Sequence, residues 1–293
     1  MKIGVSSYSL SRLFEGGKKD YEWVIDWSVE NGGEHVEIVD SDHLDKSEAG
    51  LTALREYAAK RGLDISSYTF GADFGSDNKD EVRAETERVK KQIDRANALG
   101  VKRARHDVAG RPPDKTGVEE FERVLPRLAA ACAEVADYAA AYGITTSLEN
   151  HGYFLQDSER VRRLILATDR PNFRTTIDVG NFTVVDEDPV SAVKLNLPYA
   201  SHIHLKDFHL KPAGVSPGQG WFQSRLGRYI RGAIFGHGDV ATLEIMRLIV
   251  ASGYDGYLSL EFEGMEEPCL ACRVGLENIR RFLEIAQEET RRE

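Results

Sequence analysis

The chain has 293 residues, 41% of them hydrophobic, and its 38 Lys and Arg face 48 Asp and Glu for a formal charge of −10. That length is enough to bury one large core. The acidic balance argues against a nucleic-acid or anionic-membrane surface, either of which needs clustered Lys and Arg.

Short strand-like runs alternate with long amphipathic ones from the first residue onward. "KIGVSSY" (2–8) reads as a strand and "YEWVIDWSVENGG" (21–33) as a helix. "HVEIVD" (35–40) and "GLTALREYAAKRG" (50–62) repeat the pair, as do "DISSYTF" (64–70) and "VRAETERVKKQIDRANALG" (82–100). "VKRARHDV" (101–108) precedes "EEFERVLPRLAAACAEVADYAAAYG" (119–143). The last four strands are "ITTSLEN" (144–150), "FRTTIDVG" (173–180), "SHIHLKDF" (201–208) and "YLSLEFEG" (257–264). A Leu or Ala every three or four residues gives each helix one buried face, and Gly62, Gly100, Gly143 and Gly253 stand where helices should stop.

Strand, helix, strand, helix without a break implies a parallel sheet, and eight such units predict an α/β fold, a single (β/α)8 TIM barrel over residues 1–293. A doubly wound open sheet is the rival, but "VSSYSLSRLFEGG" lacks the G-x-G-x-x-G turn that such a sheet displays. One segment breaks the pattern. Residues 208–238, "FHLKPAGVSPGQGWFQSRLGRYIRGAIFGHG", are Gly-rich and carry Arg and aromatic residues, and we expect a long loop over the barrel mouth.

Three cysteines cannot form a disulfide framework, which favours a reducing compartment. Cys132 in "LAAACAEVA" reads as core, and the lone C-x-x-C of Cys269 and Cys272 reads as packing at a helix start, since a zinc ribbon needs a second pair. "MKIGVSSYSL" has no apolar leader, and no stretch approaches about 18 apolar residues. A soluble, cytoplasmic protein is expected.

In a barrel of this kind, side chains at the C-terminal ends of the strands share a cavity. Each of the last four strands ends in a potential metal ligand: Glu149, Asp178, His204 and Glu261. Alternation along a strand requires each to occupy the inward register. His202 and His204 share one face, with His204 nearer the strand's end. Any one of these residues has an ordinary reading as a salt bridge or a hydrogen-bonded histidine. Three carboxylates converging on one cavity would instead repel one another, and a divalent cation removes that cost. Three carboxylates and an imidazole suit Mn2+ or Mg2+, with Co2+ or Zn2+ also compatible.

The order Glu, Asp, His, Glu in "SLEN", "TIDVGN", "HIHLKD" and "SLEFEG", with "MKIGVSSYSL" at the start and "GHGDV" before the seventh helix, resembles the xylose-isomerase-like barrel superfamily of sugar phosphate isomerases and epimerases. The resemblance implies one divalent metal per chain, held by Glu149, Asp178, His204 and Glu261. It also implies a small sugar or sugar-derived substrate and a proton transfer in which Glu149 and Glu261 act on opposite sides of an enediolate. Ketose 3-epimerases carry a substrate-contacting histidine three residues after the aspartate, and endonuclease IV carries a metal-binding one. This chain has Asn181 there, which counts against a trinuclear nuclease site and leaves a hydroxyl contact or a turn cap. A lyase or dehydratase acting on a keto-sugar, inositol derivative or dehydroshikimate-like acid shares the barrel type, and so does a binding protein without activity.

Further candidates surround this centre. His106 and Asp107 close the fourth strand, and Lys206 follows the histidine by two residues. His151 reads as a loop residue, and Glu37 lines the wall or bridges to Arg105. In the long loop, Trp221, Phe222, Arg225, Arg228, Arg231 and His237 would grip an anionic or polyol substrate, or form a contact in a homo-oligomer.

Overall fold

Along each barrel strand apolar and polar residues alternate, and the two sets separate across the sheet. In this computed structural model, residues 1–292 apart from 16 and 18 are described. The strands are β1 (Lys2–Ser6), β2 (His35–Val39), β3 (Asp64–Phe70), β4 (Arg103–His106), β5 (Thr145–Glu149), β6 (Phe173–Asp178), β7 (Ala200–Leu205), β8 (Asp207–Lys211), β9 (Phe222–Gln223), β10 (Tyr229–Ala233) and β11 (Tyr257–Leu260). The helices are α1 (Tyr21–Glu30), α2 (Glu48–Lys60), α3 (Lys79–Ala98), α4 (Val118–Ala140), α5 (Ser158–Thr168), α6 (Pro189–Asn196), α7 (Thr242–Ala251) and α8 (Pro268–Thr290). Eight strands close a parallel barrel in the order β1-β11-β7-β6-β5-β4-β3-β2, while β8, β10 and β9 form a separate antiparallel sheet. The expected (β/α)8 barrel is therefore the fold.

The outward residues, such as Val36, Ile38, Leu148, Ile203 and Leu258, are buried in the layer between sheet and helices. Burying a side chain of that size contributes about 1.5–3 kcal/mol. The inward residues are mostly polar, and several hydrogen-bond within the lumen. Ser147 and Thr176 share a hydrogen bond of 2.8 Å, and His202 Nε2 meets Ser259 Oγ at 2.7 Å. His35 Nε2 donates to the Leu258 carbonyl at 3.1 Å. Burial pushes the His35 imidazole down to about 4, so it sits neutral beneath the site.

His35 fits there because β1 carries a glycine beside it. A Cβ on Gly4 would collide with the His35 carbonyl and its ring. Because the obstacle is backbone, Gly4→Ala should destabilise the fold by about 1–3 kcal/mol. Chemical denaturation of the two proteins checks it, and an unchanged midpoint would show that the strands can part.

Gly62, Gly100, Gly143 and Gly253 all take positive φ (71°, 74°, 65° and 74°) at helix ends, as their positions suggested. Cys269 lies in the first turn of α8 and Cys272 just after it, and the helix N-terminus is capped by Glu267. Cys132 and Cys272 are buried free thiols, and burial raises both. Among the described residues no helix is long and apolar enough to cross a membrane.

The segment expected to be a loop contains the small sheet. Phe208 and Ile230 on one of its faces pack on Val184, which follows β6. Two features fasten it to the barrel. Asp207 accepts backbone N–H groups from Phe208, Gly236, Gly238 and Val240 at 2.8, 2.9, 2.8 and 3.2 Å. Gly232 of β10 bridges to Gly264 beyond β11, where a Cβ would lie 2.6 Å from the Glu263 carbonyl carbon.

Candidate metal centre

The barrel's alternation brings four strand ends to one point. Glu149 and Asp178 are the last residues of β5 and β6, His204 is next to last in β7, and Glu261 follows β11 directly. One ligand-type atom from each lies within 4.8 Å of all the others. Asp178 and His204 are sealed from solvent, and Glu149 and Glu261 are buried too. His204 Nδ1 sits 2.7 Å from Glu261 Oε2 and 3.2 Å from Glu149 Oε2.

Each of the four has a second set of partners. Arg105 Nε approaches Glu149 Oε2 at 2.7 Å, and Asn181 Nδ2 donates to Glu149 Oε1 at 3.0 Å. Asp178 Oδ1 accepts the backbone N–H groups of Gly180 and Asn181 at 2.9 and 3.0 Å. Lys206 Nζ lies 3.1 Å from Asp178 Oδ2, 3.4 Å from Glu261 Oε1 and 3.4 Å from Glu263 Oε2. On the far side of the imidazole, His204 Nε2 is 2.8 Å from Glu37 Oε2 of β2, while the Thr69 hydroxyl donates to Oε1 of the same carboxylate.

The electrostatics follow from burial and charge. Burial lifts the Asp178 carboxyl to about 6, with Lys206 opposing that rise and Glu261 and Glu149 adding to it. For Glu149, burial works in the same direction, but Arg105 and His204 outweigh it and hold the carboxyl below its usual range. Glu261 is likewise held down against burial by Lys206 and His204. Burial also opposes charge on His204, yet Glu37, Glu261 and Glu149 raise it well above an ordinary histidine. The carboxylates require positive charge at their centre, from a proton or from a metal.

Other sequence candidates fall in different places. Asn181 and Lys206 join the cluster and hydrogen-bond each other at 3.4 Å. His106 does not. Arg105 takes the inward position, so the next residue faces outward, and His106 lies among Phe70, Phe74 and Phe173 with Nδ1 on the Asp107 carbonyl at 2.7 Å. Glu37 lines the wall as expected, but its partner is His204; Arg105 reaches Glu149 and Asp107 instead. His151 pairs with Asp107 at 3.1 Å. In the small sheet, Arg231 lies over the Trp221 ring at 5.4 Å and faces Glu266 at 3.8 Å, while Arg225 forms a fork with Asp157. His237 is exposed in the turn after β10. Glu263 is an addition; it follows Glu261 by two residues just beyond β11, and that spacing of two was the available signal.

A model of the xylose isomerase-like TIM barrel family matches residues 25–283, and the chain belongs to that family. Its fold is similar to L-ribulose 3-epimerase, with a TM-score of 0.78 and 18% identity over 99% of this chain and 97% of that one. D-psicose 3-epimerase from Clostridium cellulolyticum gives 0.76 at 18% identity, over 97% and 99% of the two chains. A probable 3-DHS dehydratase from Bacillus anthracis gives 0.73 at 17%, over 96% and 99%. In sequence, an inosose dehydratase of Clostridium botulinum is 27% identical over 148 residues, 49% of this chain and 48% of that protein. The match thus spans about half the length of that curated relative.

Proposed function

We propose that the protein is a metal-dependent isomerase or epimerase of a sugar or sugar derivative, moving a proton at the carbon beside a carbonyl. The observation that carries this reading is a set of buried atoms. Asp178 Oδ2, His204 Nδ1 and Glu261 Oε2 belong to one buried cluster, and their close contacts are ion pairs with one another and with Lys206 rather than aligned hydrogen bonds. Buried polar atoms left in this way are costly unless an ion takes them. The charges agree. Glu37, Glu149, Asp178 and Glu261 face only Arg105 and Lys206, which also meet Asp107 and Glu263, so the cluster carries an excess of negative charge that suits a divalent cation.

Glu149, Asp178, His204 and Glu261 would hold the ion, and their mostly oxygen donor set favours Mn2+ or Mg2+. When bound, such an ion supplies Lewis-acid stabilisation of the charge that develops as the proton leaves. The rest falls to the chain. Glu149 and Glu261 come from strands separated in the barrel by β6 and β7, so they reach a substrate carbon from different sides. One removes the proton and the other returns it. Asn181 orients the first through its amide, and Lys206 stands beside the second. Return to the opposite face of the same carbon epimerises, and return to the neighbouring carbon isomerises.

Lys206 also favours a second reading. An ammonium beside Glu261 is placed to donate to a leaving hydroxyl, which would turn the same proton abstraction into loss of water, the reaction named for the inosose dehydratase relative.

One experiment separates the two. The Mn2+-loaded protein is incubated in D2O with a panel of ketoses and an inosose, and the products are weighed. Deuterium beside the carbonyl without other mass change supports the first reading, and loss of water supports the second. A panel with no exchange and no new product removes both.

A further inference from the structure

We propose that the opening at the N-terminal ends of the barrel strands, opposite the metal centre, is a second binding site that takes a small molecule by its phosphate group. A cavity of about 440 Å³ lies there, rimmed by the starts of β4, β5, β6 and β7 and by the turn before β11. The inference is independent of the proton-transfer reading, because it concerns the face of the barrel that does not carry active sites.

Strand register supplies the lining. Arg105 faces the lumen, so Arg103, two residues nearer the start of β4, faces it too. Thr176 faces the lumen through its bond to Ser147, and Arg174 shares that side of β6. Thr145 of β5 stands opposite Arg103, and Lys102 completes the rim. Alternation thus sends two guanidinium groups to one opening, with an ammonium beside them.

These cations are not neutralised. Among the described residues Lys102, Arg103 and Arg174 form no ion pair, and each is anchored by a main-chain carbonyl. Lys102 Nζ donates to Tyr142 at 3.0 Å, Arg103 Nε to Ser201 at 2.9 Å, and Arg174 Nη2 to Pro198 at 2.8 Å. A carbonyl carries only a partial charge, so three positive charges remain. Arg103 also lies over the Tyr257 ring, 4.9 Å from its centroid. Its two terminal nitrogens have no hydrogen-bond partner among the described residues, and neither has the Thr145 hydroxyl. A guanidinium fixed at Nε and by a ring, with its outer fork free, is arranged for the oxygens of an oxyanion.

The neighbouring carboxylates look elsewhere. Asp255, the one carboxylate among the lining residues, is 86% exposed and meets the Met1 amino group. Asp64 accepts the Tyr257 hydroxyl at 2.9 Å and pairs with Lys2. A chain of formal charge −10 therefore gathers uncompensated positive charge at one small opening. Three cations around a cavity of this size suit a phosphate monoester, whereas a nucleic-acid backbone needs a longer basic track.

The test is calorimetry with phenyl phosphate on the Mg2+-loaded full chain at low ionic strength. About one site per chain is expected, with a dissociation constant below about 1 mM. Arg103→Gln and Arg174→Gln should each weaken binding by about tenfold or more, as loss of a charge-assisted hydrogen bond does. Arg174→Gln gives up one carbonyl contact only, so it serves where Arg103→Gln fails to fold. Glu261→Gln, at the opposite end of the lumen, should bind the ester as the wild type does. Absence of saturable binding, or a dissociation constant above that limit, overturns the proposal. Binding that the Arg variants keep overturns it too, as does binding that changes with Glu261→Gln, since the ester would then sit at the metal centre. None of these readings involves proton exchange, so the two sites stand or fall separately.

Discussion

His204→Ala should leave the purified protein without its divalent ion, where the wild type carries about one per chain, and should lower α-proton exchange by about 10³-fold or more. The imidazole is the one neutral donor in the set, and its two nitrogens link both sides of the site. Nδ1 faces Glu149 and Glu261, and Nε2 is held beside Glu37. Without it, three buried carboxylates confront one another with only Arg105 and Lys206 between them, an arrangement that costs several kcal/mol per unpaired charge. Elemental mass spectrometry on both proteins reads the result directly. If the alanine variant retains the ion, the ligand set is wrong. If the wild type takes up none from added Mn2+, Mg2+, Co2+ or Zn2+, proton transfer through this cluster is ruled out and a binding role becomes the better account.

Glu261→Gln should cut the exchange rate by about 10²–10⁴-fold at saturating Mn2+, the range expected when a positioned proton carrier is lost. The substitution keeps the shape and removes the charge, so the comparison isolates the carboxylate. It becomes more informative when both epimers of a substrate are followed in D2O. If Glu149 and Glu261 serve opposite faces, each single Gln variant will exchange one epimer and spare the other, with the preference reversed between the two variants. Equal loss on both epimers would show that one group does all the work, and would move the reading towards isomerisation or dehydration. Run with saturating ion, the experiment also keeps any weakened metal affinity out of the rate.

The ends of the last four strands could be read from the sequence because there the chemistry contradicts the pattern. Glu149, Asp178, His204 and Glu261 are costly residues at positions where a core strand should end in something cheaper, and their recurrence at matching places makes the cost visible. Inward register was harder to read. "RARH" offers two polar residues side by side, and nothing in four letters says that Arg105 rather than His106 faces the lumen; the aromatic shell of Phe70, Phe74 and Phe173 that receives His106 comes from three separate segments. The pairing of Glu37 with His204 was hidden for the same reason, since the two lie on strands distant in the chain. The small sheet escaped because its strands are short and separated by glycine-rich turns, so neither the helical nor the buried-strand period registers. His237 was singled out for its residue type alone, and a turn that serves to cage Asp207 leaves it exposed.

The placement of Glu37 bears on how the molecule assembles. His204 is carried by a strand late in the chain and Glu37 by one near its beginning, and the two meet only across a closed ring. Closure depends on the pairing of β1 with β11, contacts that span most of the sequence and form slowly for that reason. The fully furnished cluster is accordingly a late product of folding, and a cation that needs all of it distinguishes the finished ring from any partly wound precursor. Occupancy by an ion would then feed back on the whole chain by mass action, adding about 2.7 kcal/mol to the native state when free ion stands a hundredfold above its dissociation constant. The ion in this barrel would thus act as a lock on the completed architecture, and scarcity of metal would be felt as a shorter-lived protein as well as an idle one.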